Sequence, residues 1–496
     1  MKINLTLYGL LGSLLVSSFA VSCAKETFDE QYVKLEQVGC SFYSTGNAPM
    51  EIKIKSNPAA WTAESNVSWL EVGKGSDGAT LTLTAADNDS DYERSAIVTV
   101  TAGEAVQEVA VTQLGLNLNM PRYRTLANLG SGLGAAISPS GRYVGGFEAT
   151  IAEDDSYVFH PVIIDVYTGE EYRNVDVPQS QFDLYQTMVM SDDGLLFIHD
   201  GQFGRDVVFD KDGNYFVVEA EGYISRPQVQ GTGDGGRKWC GFAMKESDKS
   251  WTGRMYYPLV WIDGEIHELK FPDKNFRDEE FWTGIMARGM SADGRIIYGT
   301  TWDNSDFGMV YWTDINEKAR YVGEDVHVVT PVVMQMSDGT EYDTHIANGM
   351  ICTANLLQIS PSGTWIAGSY RTEEVAENRQ SLIYTQHAAF YNTETETTTI
   401  IKDYGESTGM RATDDGVAFI GLGTLGISSG VVYDLNSGTH LGTIEEWVYN
   451  NYGINVPTGV INFVNADKDV IFGTYAAASA MGVSFQNYYI APPIAE

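Results

Sequence analysis

The chain has 496 residues, a hydrophobic content of 43% and a formal net charge of −35 at pH 7. Its length predicts more than one domain, and its hydrophobic content excludes a disordered chain. Such an excess of carboxylates makes nucleic acid and heavily sulfated glycans poor partners, because like charges repel on approach.

The N-terminal segment has the pattern of a signal peptide, with Met1-Lys2 before an apolar stretch from Ile3 to Val21. Glycine and serine residues dilute its hydrophobicity, which favours a signal peptide over a transmembrane anchor. The stretch ends Ala20-Val21-Ser22-Cys23, which resembles a bacterial lipobox with Ala20 where leucine is usual. This resemblance implies that residues 1–22 are removed and that Cys23 is lipidated, because only a thiol takes the thioether-linked lipid.

Residues 23–32 are predicted to form a charged tether. Within it, Lys25-Glu26 and Asp29-Glu30 resemble the acidic export signal of Bacteroidetes lipoproteins. The resemblance implies a lipid-anchored protein of the outer membrane that faces the cell exterior. Its contact with the membrane would then be through the lipid alone.

Short alternating strands follow over residues 33–115. Thr80–Thr84 and Ile97–Thr101 place β-branched and apolar residues on alternate faces, as a half-buried strand requires. Some eighty residues of this kind predict an immunoglobulin-like β-sandwich.

Particular residues in this region resemble the BACON domain, a family named for carbohydrate binding and common in Bacteroidetes. They are Trp61, Ser68-Trp69-Leu70-Glu71-Val72, Gly78, Asn88, Arg94-Ser95-Ala96 and Val111-Thr112-Gln113, in that order. The resemblance implies association with glycan-handling surface proteins. Trp61 and Trp69 lie in strand-like sequence, so we expect them in the core, and the module either binds a ligand or spaces its neighbour from the membrane.

From residue 120 to 496 a short apolar strand, a tight turn and a second apolar strand recur. Serine, aspartate and glycine suit such turns, because the first two cap the backbone and glycine adopts positive φ. The turns are Ser138–Gly141, Ser191–Gly194, Thr232–Gly235, Ser291–Gly294, Ser360–Gly363, Thr413–Gly416 and Asn465–Lys468.

A third apolar strand follows each turn, and a fourth often follows that, which is the pattern of a β-propeller. The seventh unit ends after its third strand, whereas Tyr123–Ala127 precedes the first unit without a partner. Pairing these two segments would close the ring. The sequence therefore predicts an all-β protein in which a β-sandwich precedes a seven-bladed propeller, loosely resembling WD-like and TolB-like propellers.

The long connections fall in two classes that emerge on the same face of the predicted ring. Connections between second and third strands, and between successive blades, are long, whereas the others are tight. Rigid scaffolds present function on such loops, so we expect the ligand on this long-loop face. Candidate ligand-binding residues there are Tyr157, Trp251, Arg254, Trp282, Trp302, Tyr370 and Arg371, beside Phe307 and Tyr475.

Other chemistry has little support in the sequence. No nucleophile, Walker-type or metal-ligand motif is found, so no catalytic residue, metal site or cofactor is assigned. Calcium is an unsupported possibility at Asp303–Asp306 and at Asp210–Asn214. Cys240 and Cys352 are either disulfide-bonded or free thiols.

Aromatic platforms beside carboxylates and amides suit neutral sugars, whose apolar face stacks while their hydroxyls find acceptors. We therefore expect a non-catalytic surface lipoprotein that binds a carbohydrate or glycoprotein. Two alternatives stay open. One is a propeller-type glycoside hydrolase or lyase, and the other is a protein-interaction scaffold with other outer-membrane proteins.

Overall fold

The computed structural model describes residues 31–126, 136–151, 157–173, 188–200, 205–224, 227–250, 252–303, 307–352, 358–423, 429–479 and 482–495. Nearly all regular structure in these ranges is β-strand, with one α-helix, α1, at Ile444–Tyr452 and 3-10 turns at Asp234–Gly236 and Glu324–Val326. No helix among the described residues is long and apolar enough to cross a bilayer. The lipobox, Cys23 and most of the predicted tether lie outside the described residues.

Two four-stranded sheets form the N-terminal sandwich, in the orders β1-β3-β6-β5 and β2-β8-β7-β4. The predicted alternation is confirmed in β6, where Leu81 and Leu83 are buried and Thr84 is exposed. The eight strands are β1 Tyr32–Leu35, β2 Gly39–Phe42, β3 Met50–Asn57, β4 Thr62–Ser65, β5 Leu70–Lys74, β6 Thr80–Ala85, β7 Arg94–Ala102 and β8 Ala105–Gln113.

The residues that carry the resemblance to the BACON domain contact one another in the sandwich. Trp61 is buried in the core and donates a hydrogen bond from Nε1 to the Gly78 carbonyl at 3.0 Å. The Arg94 guanidinium lies 4.5 Å from the Trp69 ring centroid, and its Nε donates to Gln113 Oε1 at 2.8 Å. Trp61 lies in the core as expected, whereas Trp69 is half-buried against it, and neither residue lies within a strand.

Antiparallel sheets of propeller type occupy the rest of the chain. In the described residues there are seven, here called blades 1 to 7, and the exact number of blades in the whole ring stays a prediction. Blade 1 has β11 Ala136–Ile137, β12 Tyr143–Ile151, β13 Tyr157–Asp165 and β14 Glu171–Arg173; blade 2 has β15 Val189–Met190, β16 Leu196–Asp200, β17 Arg205–Phe209 and β18 Tyr215–Val217; blade 3 has β19 Gln228–Gly233, β20 Lys238–Glu246, β21 Arg254–Ile262 and β22 Glu265–Glu268.

The remaining blades follow the same order, and blade 5 carries an extra edge strand. Blade 4 has β23 Ile285–Met290, β24 Ile297–Thr301, β25 Met309–Trp312 and β26 Arg320–Tyr321; blade 5 has β27 Val328–Gln335, β28 Glu341–Ile351, β29 Trp365–Val375, β30 Leu382–Asn392 and β31 Thr397–Ile401; blade 6 has β32 Ser407–Ala412, β33 Val417–Leu422, β34 Gly430–Asp434 and β35 Thr439–Thr443; blade 7 has β36 Gly459–Val464, β37 Ile471–Ser479 and β38 Gly482–Ile490.

The ring closes as the sequence predicts. The strand β10, Tyr123–Thr125, forms the outer edge of blade 7 and pairs with β38, with Tyr123 opposite Ile490. A second pair, β9 Leu118–Met120 with β39 Ile494–Ala495, adds to this seam. Each neighbouring pair of blades shares a buried apolar cluster, including blades 7 and 1. Apolar burial between blades is therefore what holds the ring together.

Two stretches predicted from the sequence to be long loops, Ala243–Tyr256 and Ser369–Gln386, are in large part strands. The β29–β30 ladder runs for eleven residue pairs, out to Val375 opposite Leu382, and the β20–β21 ladder reaches Glu246 opposite Arg254. Their polar and aromatic residues form cross-strand pairs, which sequence composition alone does not distinguish from loop residues. At blades 3 and 5 the long-loop face is thus built from projecting hairpins.

The sandwich packs directly on the long-loop face. Helix α1 connects β35 to β36, and Trp447 and Val448 share one buried cluster with Ile97 and Ala110 of the sandwich. Around this cluster, the Thr458 N–H donates to Glu108 Oε2 at 2.8 Å. The sandwich thus covers blades 6 and 7 and leaves the opposite side of the ring, at blades 3 and 4, uncovered by this contact.

Candidate ligand-binding site

A cleft of about 710 Å³ opens on the long-loop face between blades 3 and 4. One wall is the β20–β21 hairpin of blade 3, and the other is the connection that leads from blade 3 into blade 4. Its lining combines apolar rings with charged groups: Glu246, Ser247, Asp248, Lys249, Gly253, Met255, Tyr257, Phe271, Pro272, Asp273, Glu280 and Phe281.

Three aromatic rings form a continuous wall of this cleft. The Tyr257 and Phe271 ring centroids are 5.6 Å apart, and those of Phe271 and Phe281 are 4.9 Å apart in an edge-on arrangement. Phe281 is buried, whereas Tyr257 and Phe271 are half-buried and keep part of their surface free. Such a wall offers the exposed parts of the Tyr257 and Phe271 rings as apolar contact surface for a ligand.

Carboxylates surround the aromatic wall. The side chains of Asp273 and Glu280 are 81% and 72% exposed, so they reach ligand and solvent alike. Lys274 donates to Glu280 Oε1 at 2.8 Å and lowers the pKa of that carboxyl group, while Lys318 ion-pairs with Asp273. Glu280 therefore stays ionised at neutral pH, and an ionised carboxylate accepts hydrogen bonds without donating any.

The connection that supplies Phe271 and Phe281 is fixed by a buried carboxylate. Asp303 Oδ1 accepts hydrogen bonds from the Thr283 and Gly284 N–H groups at 2.5 and 3.1 Å, and its Oδ2 accepts from Asn275 Nδ2 at 3.2 Å. Burial raises the pKa of Asp303, and the backbone hydrogen bonds oppose this. Asp303 thus orders the connection from within, and residues 304–306 of the calcium candidate considered from the sequence lie outside the described residues.

A second anchor joins the same connection to blade 5. Glu373 is buried between two arginines, with its carboxylate oxygens 2.9 Å from Arg277 Nη1 and 3.0 Å from Arg371 Nη2. The Ala347 N–H also donates to Glu373 Oε2 at 2.9 Å. Removing one member of such a buried set is costly, because the remaining charges keep their desolvation penalty.

The residues predicted from the sequence are distributed over several surroundings. Arg254 is exposed at the start of β21, opposite Glu246 on the cleft wall. Trp282 is half-buried at the end of the cleft connection, and Tyr370 is half-buried on β29. Arg371 is 8% exposed and ion-paired with Glu373, which assigns it a structural contact.

Trp302 directly follows β24 and is half-buried, and its N–H donates to the Gly284 carbonyl at 3.1 Å. Its ring meets Phe307 edge-on at 5.1 Å, and the Arg288 guanidinium lies 5.7 Å from its centroid. Tyr475, expected on a loop, is buried in β37 instead. Tyr157 begins β13, and nothing further is described of its side chain, whereas Trp251 and Cys23 lie outside the described residues.

Sequence reasoning missed the three rings of the cleft wall. Phe271 opens a connection that the sequence marked as long, and Phe281 lies within it, so both were within reach of the loop argument. Tyr257 was hidden because it lies on a strand, where aromatic residues are ordinary. The β20–β21 hairpin lies beside the connection between blades 3 and 4 because of the packing of the two blades, and no local sequence pattern predicts that packing.

The structure also bears on the candidate metal ligands and cysteine residues of the sequence predictions. No group of three or more metal-ligating side chains occurs in the ranges described above. Cys40, Cys240 and Cys352 are free thiols, and burial raises the pKa of Cys240. The sequence left open whether Cys240 and Cys352 form a disulfide, and the structure shows both as free thiols.

Comparison with known proteins bears on the N-terminal sandwich. The scan of family models matches residues 59–114 to the model described as "BACON: Putative binding domain, N-terminal". The sandwich contains a BACON domain. No curated protein matches the chain.

Solved structures similar to this chain include β-propeller proteins. TolB from Acinetobacter baumannii is 13% identical with a TM-score of 0.30, and the alignment covers 63% of this chain and 61% of that one, less than two thirds of its length. The propeller domain of the Trilobed protease from Pyrococcus furiosus is 11% identical with a TM-score of 0.35, covering 76% and 98% of the two chains. With similarity this low, the propeller assignment is carried by the sheet order and ring closure of the chain itself.

Proposed function

We propose that this protein is a non-catalytic, surface-exposed lipoprotein that binds a carbohydrate or the glycan of a glycoprotein in the cleft between blades 3 and 4. The observation that carries the proposal is the aromatic wall of Tyr257, Phe271 and Phe281 beside exposed carboxylates. A pyranose would stack its apolar face on the wall, and its hydroxyl groups would donate hydrogen bonds to the carboxylates of Asp273 and Glu280. A neutral sugar suits an acidic cleft, because no ligand charge opposes the carboxylates.

The anchored connection supports binding affinity. Asp303 and Glu373 hold the segment from Asn275 to Gly284 in place through hydrogen bonds and ion pairs. A preordered wall loses little conformational entropy when a ligand arrives. Lipidation at Cys23 and exposure at the outer membrane are part of the proposal and rest on the sequence resemblance alone.

The carboxyl groups favour binding over hydrolysis. Glycoside hydrolysis needs two carboxyl groups facing one another across the bond to be cleaved, one of them with a raised pKa. In the described part of the chain, burial raises the pKa of Glu93, Asp206, Asp303 and Glu445, which belong to four separate elements. None of these four lines the cleft.

One observation favours the scaffold alternative. The projecting hairpins of blade 5 expose several large apolar side chains, and contiguous apolar surface often marks a protein interface. These side chains are Val328, Val333, Met336, Tyr342, Ile383 and Tyr384, each at least 38% exposed.

Affinity electrophoresis tests the proposal. Residues 24–496 would run through gels containing neutral plant and host glycans, one glycan to a gel, with the Phe271→Ala variant and a chelator lane beside the wild type. Retardation by one glycan, without product formation and lost in the variant, supports binding in the cleft. Absence of retardation by every glycan would reject it for that panel and favour a protein partner.

A further inference from the structure

The inner strands of the propeller carry positive charge, against the trend of the chain. The whole sequence has 66 acidic and 31 basic residues. The innermost strands of blades 3, 4, 6 and 7 are β19, β23, β32 and β36. These four strands contain two charged residues, Arg288 and Arg411, and no acidic residue. The central channel that these strands surround is therefore an exception within a strongly acidic protein.

Backbone bulges bring Arg288 together with Gln230. The β23–β24 register shifts between Ala287 and Gly289, which makes Arg288 the bulged residue, and the β19–β20 register shifts between Val229 and Gly231, at Gln230. Bulges re-aim a side chain and are common beside binding sites. Arg288 Nη1 consequently donates to Gln230 Oε1 at 3.0 Å across the two blades.

Glycine makes this close approach possible. A Cβ atom added to Gly231 would lie 2.7 Å from the Gly289 Cα, well inside van der Waals contact. The two bulges can therefore meet this closely only because residue 231 carries no side chain.

Arg288 has polar capacity that the described residues do not use. Its contacts are the single hydrogen bond to Gln230 and the Trp302 ring, and its Nε is buried without an acceptor in the described part of the chain. Burial lowers the pKa of the guanidinium, while Cys352, Tyr298 and Tyr256 act in the opposite direction. Part of the side chain keeps its exposure to solvent.

We propose that Arg288, oriented by Gln230 and covered by Trp302, binds the carboxylate of a small organic acid at the long-loop end of the central channel. A planar guanidinium matches a carboxylate with two parallel hydrogen bonds. The Trp302 ring supplies an apolar surface for the body of the same ligand. This site is separate from the aromatic cleft and does not depend on the function proposed for it.

Calorimetry on the lipid-free chain, residues 24–496, tests this site, with glucuronate as the acid. The uncharged comparison ligands are glucose and the methyl ester of glucuronate. The acid, its ester and glucose are all measured on the wild-type protein, so this comparison does not depend on the folding of any variant. We expect glucuronate to bind about tenfold or more tightly than its methyl ester, the value expected for a charge-assisted pair.

Variants then locate the binding. Arg288→Gln should lose the preference for the acid, whereas Arg295→Gln, an exposed arginine at the opposite end of the same blade, should keep it. Phe271→Ala should also keep it, which separates this site from the cleft. The proposal is overturned if glucuronate fails to bind, binds no better than its ester, or binds Arg288→Gln as well as wild type. Loss of the preference in Phe271→Ala would move the carboxylate to the cleft and likewise overturn it.

Discussion

Ser95 of the sandwich and Asn455 of the propeller are directly hydrogen-bonded: the Asn455 N–H donates to Ser95 Oγ at 2.7 Å, and Asn455 Nδ2 donates to the Ser95 carbonyl at 2.9 Å. Asn66 Nδ2 adds a bond to Asn455 Oδ1 at 3.1 Å. Beside these bonds lies the buried apolar cluster that both domains share. The sandwich is therefore docked on the propeller, which limits its use as a free spacer.

This docking predicts energetic coupling between the two domains. Asn455→Ala removes the side-chain hydrogen bonds and Ser95→Ala removes the acceptor of the backbone bond, so each should lower the free energy of unfolding by about 1–2 kcal/mol. Because the residues touch, the double variant should lose less than the sum. Denaturant unfolding compares the wild type, the two single variants and the double variant. Glu71→Ala, a change at an exposed residue of β5, is the control. Strictly additive losses would contradict the coupling.

Ring closure is predicted to depend on Arg124. Its guanidinium donates to the carbonyls of Pro121, Val166 and Pro492 at 2.8, 2.6 and 2.9 Å, joining the first and last strands of the propeller. Lysine keeps the charge but lacks the planar fork. Arg124→Lys should therefore lower the free energy of unfolding by about 2–4 kcal/mol.

Thermal and urea unfolding provide the measurement for this variant. Arg173→Lys makes the same change at an exposed arginine of blade 1 and should alter stability by less than about 0.5 kcal/mol. If Arg124→Lys were as stable as this control, the closure would be carried by strand pairing and apolar contacts alone.

The buried ion pairs beside the cleft give a third prediction. Glu373→Gln keeps the shape of the side chain but removes the charge between Arg277 and Arg371, and we expect it to lower the free energy of unfolding by about 3 kcal/mol. Glu374→Gln, the same change at the exposed neighbouring position, should be nearly neutral. Urea unfolding compares the two variants, and equal effects would show that the buried cluster contributes no special stability.

Acid sensitivity is predicted at His327, whose ring stacks on Phe276 at a centroid distance of 4.5 Å. Burial lowers its pKa from 6.5, and the hydrogen bond with the Phe276 carbonyl and the charges of Glu324 and Asp278 only partly oppose this. Below pH 6.5 the unfolded state then binds the proton first. Stability should therefore fall as the pH is lowered from 6.5 through the folded pKa.

His327→Gln retains a hydrogen-bond donor and cannot titrate, so it isolates this effect. The difference in unfolding free energy between wild type and variant, measured at several pH values, should shrink or reverse as the solution is acidified. Carboxyl groups contribute equally to both proteins and cancel. His440→Gln is the matched control at an exposed histidine. A pH-independent difference would rule out His327 as the titrating group.

The sequence contains much of the fold because the propeller is assembled from local signals. The turn at Ser291–Gly294 is an example: Ser291 Oγ accepts from the Ile296 N–H at 3.0 Å, and Gly294 has a φ of 66°. These preferences are properties of neighbouring residues, so they can be read without the fold. Pairing of Tyr123 with Ile490 was predictable for a different reason, since each segment lacked a partner.

The candidate site was less predictable because it depends on contacts between distant segments. Tyr257 and Phe271 are separated by a strand and a turn, and their rings meet only after blade 3 folds back on itself. Arg371 resembled a ligand-binding residue by composition, but its partner Glu373 lies two residues away on the same projecting strand. Whether a charged side chain faces a ligand or a buried ion is decided by tertiary packing.

The central claim, a glycan-binding cleft between blades 3 and 4, is tested most directly by one comparison of mobility. Wild type, Phe271→Ala and Tyr215→Ala, an exposed aromatic residue of blade 2, would run through the glycan gel that most retards the wild type. Thermal unfolding would first establish that all three proteins are folded. We predict that Phe271→Ala migrates as it does without glycan while Tyr215→Ala stays retarded. Equal retardation of all three proteins would contradict the claim.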